Sequence, residues 1–248
     1  MTTTIGRPSA DRDGRALLLD FGYVLTREQD RSRFGPLLVE LGLGPGPFFA
    51  AWERYRHDYD EGAMPAQAYW AAVIAEARAR AAERAAAPRA GAPEANAGGG
   101  VGRPGSSAPA PEAELETETL ARLIETDLVS FMTPRAAMAA LARRYAESGR
   151  PVGILSNMPP GVGALWERAW PWLGALSPRL WSGDIGLRKP DPAVFRLALE
   201  RSGWEPGRVL FVDDVAANVE AAEAAGMAAH HFVDEGLAIR AVRAWMGD

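Results

Sequence analysis

Val209-Leu-Phe-Val-Asp-Asp-Val-Ala-Ala-Asn218 is the stretch on which the fold turns. Its first four residues are all apolar, with no alternation of apolar and polar positions. A strand of that kind has both of its faces covered. The run stops on two carboxylates and passes into a helical stretch. Working outward, the same design recurs at Ala16–Asp20, Pro151–Ser156, Arg179–Ser182 and Ala228–Val233. Helix starts are expected at Thr133-Pro134, at Asp191-Pro192 and at the acidic turn Asp213-Asp214. Gly149, Gly203 and Gly226 follow the helices as C-terminal caps. Short apolar strands alternating with helices predict an α/β fold, a doubly wound, Rossmann-like parallel sheet.

Residues 27–131 break this rhythm. Helical patterns run over Phe48–Tyr59, Pro65–Arg84 and Glu114–Phe131, and they separate the first strand from the second by far more than an ordinary crossover. The expectation is an all-helical domain of residues 27–131, placed above the carboxyl edge of a core made of residues 1–26 and 132–248. Within it, residues from about 85 to 113 are nearly all Ala, Gly, Pro and Ser, the composition of a low-complexity, disordered linker. Gly100, Gly102 and Gly105 there match a dinucleotide-binding fingerprint, but no strand precedes them and no helix follows.

Composition narrows the chemistry. The 248 residues contain no cysteine, which excludes thiol nucleophiles, cysteine zinc sites and disulfide scaffolds. A net charge of −5 argues against nucleic acid as a partner. No apolar run approaches the roughly 18 residues of a membrane span, and the first residues lack an apolar signal core. A cytoplasmic protein is expected, as a monomer or homodimer.

In open α/β sheets ligands bind beyond the carboxyl ends of the strands. Those ends carry Asp20, Ser156 with Asn157, and Asp213 with Asp214, and Lys189 lies in the turn after the third strand. Three carboxylates, a hydroxyl and an ammonium on one edge form a hard oxygen set suited to Mg2+.

In order and spacing, LLLDFGYVLT, GILSNMP, GLRKPDPAVF and VLFVDDVAAN resemble the four motifs of the haloacid dehalogenase-like hydrolases. The helical insertion after the first motif resembles that superfamily's helical cap. Its first motif, Asp-x-Gly-x-Val, looks most like that of bacterial sugar-phosphate phosphatases such as those acting on α-glucose 1-phosphate. The resemblance implies a Mg2+-dependent phosphatase acting on a small-molecule phosphate ester. It implies Asp20 as nucleophile, and Asp20, Asp213, Asp214 and the Gly22 carbonyl as metal ligands. Ser156, Asn157 and Lys189 would then bind the phosphoryl group, with Lys189 also balancing charge in catalysis.

One position departs from the pattern. The phosphatases of this superfamily commonly carry a general-acid Asp where this chain has Gly22, so a catalytically weakened binding or regulatory protein is an alternative, with a dehalogenase further behind. Asp20-Phe21-Gly22 also spells a kinase motif, but no companion motif accompanies it. His57, with Arg54, Arg56, Asp58 and Asp60, reads as a solvated charged face. His230 and His231 read as satisfied structural histidines. Trp166, Trp170 and Trp172 read as packing residues, and Asn218 as a helix-surface amide.

Overall fold

A computed structural model describes residues 14–86 and 115–248. The N-terminal tail, most of the expected linker and the three fingerprint-like glycines lie outside the described residues. The element order is β1 (Ala16–Leu19), α1 (Gly35–Leu41), α2 (Pro45–Asp60), α3 (Ala66–Ala86), α4 (Thr117–Ser130), α5 (Ala136–Glu147) and β2 (Val152–Ser156). There follow α6 (Val162–Ala169), β3 (Arg179–Trp181), the single turn α7 (Ser182–Ile185), α8 (Pro192–Ser202), β4 (Val209–Asp213), α9 (Ala216–Ala224), β5 (Ala228–His231) and α10 (Glu235–Met246).

The five strands form one parallel sheet in the order β3-β2-β1-β4-β5. This is the doubly wound α/β arrangement expected from the apolar runs. The period of two along a strand divides β1 between the two faces. Leu17 and Leu19 pack with α5, α6 and α10, while Ala16 and Leu18 pack with α8 and α9. Every residue of β1, β2 and β4 is buried, as a strand covered on both faces requires.

Register brings the strand ends level. Leu19 pairs with Ile154 on one side and Val212 on the other, so Asp20 stands beside the ends of β2 and β4. Helices α1 to α4 hold an apolar cluster of their own, built around Phe34, Phe48, Trp70 and Leu123. Where the chain leaves and re-enters the sheet layer, its two arms are paired. Thr26 bridges Pro134, Arg27 N donates to Thr133 O at 2.7 Å, and Arg135 N donates to Leu25 O at 2.9 Å.

Two start signals need correction. Thr133-Pro134 is spent on that pairing, and α5 begins at Ala136 without a side-chain cap. The helix after β4 starts at Ala216, with Val215 as its first cap residue. Asp191 behaves as expected: its side chain accepts from Ala193 N, and Pro192 follows at the first helical position. Gly203 caps α8 in the left-handed region, and Gly149 and Gly226 turn the chain one residue beyond their helix caps. Helix α1 went unread because its short sequence carries little periodic signal.

The loop after β2 is held against α7 by close backbone approach. Gly183 N donates to Met158 O at 3.0 Å, and Met158 N donates to Ser182 Oγ at 2.8 Å. A Cβ on Gly183 would lie 2.3 Å from Pro160 N and 2.6 Å from Pro159 C, both backbone atoms. Gly183→Ala is therefore expected to destabilise the fold by about 1–3 kcal/mol through overpacking. Urea unfolding measures this, and an unchanged midpoint would show that the two segments part without cost.

Candidate active site

Lys189 is the centre of the strand-end cluster. Its side chain is 1% exposed, and its Nζ lies 2.8 Å from Asp20 Oδ1 and 2.6 Å from Asp213 Oδ2. A buried ammonium without counter-charges would be prohibitively costly. Burial works against the Lys189 charge, but the two carboxylates outweigh it and hold the pKa above the ordinary lysine value. The backbone of Lys189 is fixed as well. Asn157 donates through Nδ2 to Lys189 O and accepts at Oδ1 from Lys189 N, each at 2.9 Å.

Asp213 is completely buried, and its other oxygen is also committed. Oδ1 accepts from Val215 N at 2.8 Å and from Asn218 Nδ2 at 2.9 Å. Asn218 is thus a buried partner of Asp213 and not a helix-surface amide. Its position on the first turn of α9, five residues after Asp213, is the signal that could have found it.

Asp20, Asp213 and Asp214 each place a carboxylate oxygen within 4.8 Å of the others. Burial pushes the Asp20 carboxyl up to about 7, with Lys189 pulling it down and Asp213 and Asp214 pushing it further up. Asp214 is raised too, by burial and then by Asp213. With all three carboxylates ionised, one ammonium would leave two negative charges without a counter-ion inside the cluster, which is why, beyond burial, the Asp20 and Asp214 carboxyls are raised. Asp20 Oδ1, although close to Nζ, receives no aligned hydrogen bond. This donor set fits a hard divalent cation.

Beside the cluster lies a cavity of about 60 Å³, bounded by Gly22 after β1, by Ser156 and Asn157 at the end of β2, and by residues of α2 and α4. The Gly22 carbonyl accepts from Val24 N at 2.7 Å, which leaves one lone pair for a metal. All the residues expected at the site are therefore gathered at this edge, on the cluster or on the cavity wall.

The helical side contributes residues that the sequence reading missed or misplaced. Arg56 and Asp60 do not form a solvated face. Arg56 Nε lies 2.7 Å from Asp60 Oδ1, and Arg56 Nη1 lies 2.7 Å from Asp127 Oδ2. Trp52 Nε1 and Gln29 Nε2 both donate to Asp127 Oδ1 at 3.3 Å. A carboxylate four residues after Leu123, on the apolar stripe of α4, was the available signal for Asp127.

His57 does remain exposed, its Nδ1 2.6 Å from Arg188 Nη2. His231 Nε2 lies 2.9 Å from Asp214 O, whereas His230 Nε2 is buried with no partner among the described residues, so only His231 is satisfied. Trp166 packs on Phe21 with ring centroids 4.7 Å apart and also lines the cavity, so it is more than packing.

Residues 47–226 match the family model of haloacid dehalogenase-like hydrolases. The chain belongs to that family. The matched stretch starts after Asp20, and it is the sheet register that joins Asp20 to the remaining motifs. A sesquiterpene phosphatase of Aspergillus oryzae is 31% identical over 105 residues, 42% of this chain and 53% of that protein. An (S)-2-haloacid dehalogenase of Pseudomonas fluorescens is 34% identical over 112 residues, 44% of this chain and 47% of that protein. The matches thus span about half the length of these relatives. A HAD family enzyme of Bacteroides thetaiotaomicron, crystallised as a magnesium complex, shares the fold with a TM-score of 0.59 at 14% identity, over 91% of this chain and 98% of that one.

Asp60 provides a test of the buried network. Burial raises its carboxyl to about 6, against the pull of Arg56 and with a push from Asp127. A raised carboxylate pKa means that the folded state binds the proton more tightly than the unfolded chain does. The stabilisation is complete below about pH 4 and is lost as pH rises through 6. The stability of the wild type relative to Asp60→Asn should therefore be greatest near pH 4 and decline by pH 7. Urea titrations at the two pH values measure it, and an advantage that grew with pH would contradict the assignment.

Proposed function

We propose that this hydrolase cleaves a small phosphate monoester, with Mg2+, through an aspartyl-phosphate on Asp20. The observation that carries the reading is the uncompensated negative charge of Asp20, Asp213 and Asp214 around one buried ammonium, beside a cavity that Ser156 and Asn157 line. The phosphatase among the relatives and the magnesium complex of the structural neighbour support it.

Asp20, Asp213 and Asp214, with the Gly22 carbonyl, would hold the metal. When bound it would supply positive charge that offsets the repulsion of Asp20 for an anionic ester. An Asp20 carboxylate oxygen forms a bond to phosphorus as the ester P–O bond breaks, and the alcohol oxygen leaves with the electron pair. Lys189 and the Asn157 clamp keep Asp20 in one orientation, and Lys189 offsets charge on the transferring group. The Ser156 hydroxyl and the Asn157 backbone N–H donate to phosphoryl oxygens. Water then attacks the acyl phosphate, releasing inorganic phosphate and restoring the Asp20 carboxylate. Residues 27–131 act as a cap over a core of residues 1–26 and 132–248, excluding water and choosing the substrate.

Residue 22 offers no proton to the leaving oxygen, which must take one from water. A sugar ester that leaves through an anomeric hydroxyl would tolerate this, and that tolerance supports the sugar phosphate suggested by the first motif. Gly22 also motivates the second reading, a weakened binding or regulatory protein. A dehalogenase is less favoured, because metal-free halide displacement has no need for the Asp213-Asp214 pair.

Phosphate release should require Mg2+, stop in EDTA, and fall by on the order of 10³-fold or more in Asp20→Asn. Ligand binding without release from a broad panel of esters would favour the regulatory reading instead. Nothing steric requires glycine at position 22, where a Cβ meets no atom within 4 Å. Turnover of the wild type should fall steeply as leaving-group pKa rises. Gly22→Asp should flatten that dependence, speeding alkyl esters by about 10²-fold. A variant that left the slope unchanged would show that protonation does not limit the reaction.

A further inference from the structure

The cavity beside Ser156 is lined on its organic side by Phe21, Leu128, Phe131, Met158, Val162 and Trp166. What decides its ligand is the state of the polar groups among them. Thr26 Oγ1 accepts from Tyr23 N at 3.2 Å. Both ends of the Asn157 amide are spent on the Lys189 backbone. Asp127 accepts from Gln29, Trp52 and Arg56, and Arg56 lies between Asp60 and Asp127 with its guanidinium 4.6 Å over the Trp52 ring. Thr26 Oγ1 as an acceptor, both ends of the Asn157 amide, both oxygens of Asp127 and Nε and Nη1 of Arg56 are thus engaged within the protein before a ligand arrives.

A polyhydroxylated ligand would lose water from its hydroxyls and find these partners taken, which is costly for buried polar groups. A hydrocarbon would lose nothing by the same transfer and would meet aromatic and aliphatic walls. We propose that the organic group accepted by this site is an apolar hydrocarbon, not a sugar, so that the substrate is the phosphate monoester of an apolar alcohol. The proposal rests on the phosphohydrolase reading for its chemistry, and it sets aside the sugar ester suggested by the first motif. Ser156 marks the phosphoryl end of the cavity, and Leu128 and Phe131 of the α4 end form the wall against the hydrocarbon.

The test compares 3-methylbutyl phosphate with glycerol 1-phosphate and glucose 6-phosphate, all primary alkyl esters, in the presence of Mg2+. It is paired with calorimetric binding of the two non-hydrolysable phosphonates, 3-methylbutyl and 2,3-dihydroxypropyl. Because turnover depends on leaving-group pKa, the selectivity is read in KM, which is expected to be lower for the apolar ester by at least about tenfold, the scale set by one or two methylenes in an apolar pocket. Its phosphonate should bind tighter by a similar factor, with a negative heat-capacity change. Leu128→Asn should raise KM for the 3-methylbutyl ester toward that for glycerol 1-phosphate, and Leu128→Met should restore the difference. Melting curves of both variants separate lost selectivity from lost folding. Equal or lower KM and equal or tighter phosphonate binding of the hydroxylated compounds would overturn the proposal. Selective binding of the apolar phosphonate without release from any ester would uphold the pocket's selectivity and overturn the phosphohydrolase reading. Neither turnover nor selective binding would overturn both.

Discussion

A single buried ammonium organises the sheet edge. Lys189 comes from the turn after β3, yet its charge is neutralised by Asp20 beyond β1 and Asp213 at the end of β4, and its backbone is clamped by Asn157 beyond β2. The ends of β1, β2 and β4 are thereby tied to one residue. Removing one partner of such a buried pair typically costs about 3–5 kcal/mol, because the survivor stays buried and charged. The arrangement places a carboxylate oxygen of Asp20, Asp213 and Asp214 within 4.8 Å of one another, with one ammonium among them. A site built this way is prepared for a cation and, with that cation, for an anion.

The helical side solves a similar problem with the opposite balance. Arg56 is largely covered between Asp60 and Asp127, and the indole of Trp52 and the amide of Gln29 both donate to Asp127. Burial opposes the Arg56 charge, yet the two carboxylates keep its pKa above the ordinary arginine value. The two polar centres flank the cavity but differ in what they leave open. The strand-end cluster has unmet charge, whereas the helical cluster is engaged within the protein. Between them the wall is apolar, so unmet polarity is concentrated at the strand-end side. Contacts across the layers hold this geometry: Ser182 Oγ donates to Asp60 O, and Arg188 meets His57.

The three central strands β1, β2 and β4 were legible because burial on both faces calls for unbroken runs without charged residues up to the strand end, and the edge strands β3 and β5 are shorter or less buried versions of the same pattern. The candidate residues could be picked out because a parallel sheet places ligands beyond its strand ends: Asp20, Ser156 and Asp213 stand at those ends, and Lys189 follows β3 by way of α7. Asn218, Asp127 and Arg56 were not legible in the same way. Each looks like an ordinary polar residue on a helix, and its burial depends on a partner distant in sequence. Asp127 and Arg56 are 71 residues apart.

By itself, the sequence determined the sheet class, the family motifs and the identity of the acidic edge, because these follow from local pattern and strand order. Only the tertiary structure decided which carboxylates share the lysine, which polar groups are engaged, and that the wall beside the site is apolar. Those outcomes depend on where α2 and α4 come to rest above the sheet. A one-dimensional pattern shows that a helix has an apolar face, but not which charged residue that face carries into the interior.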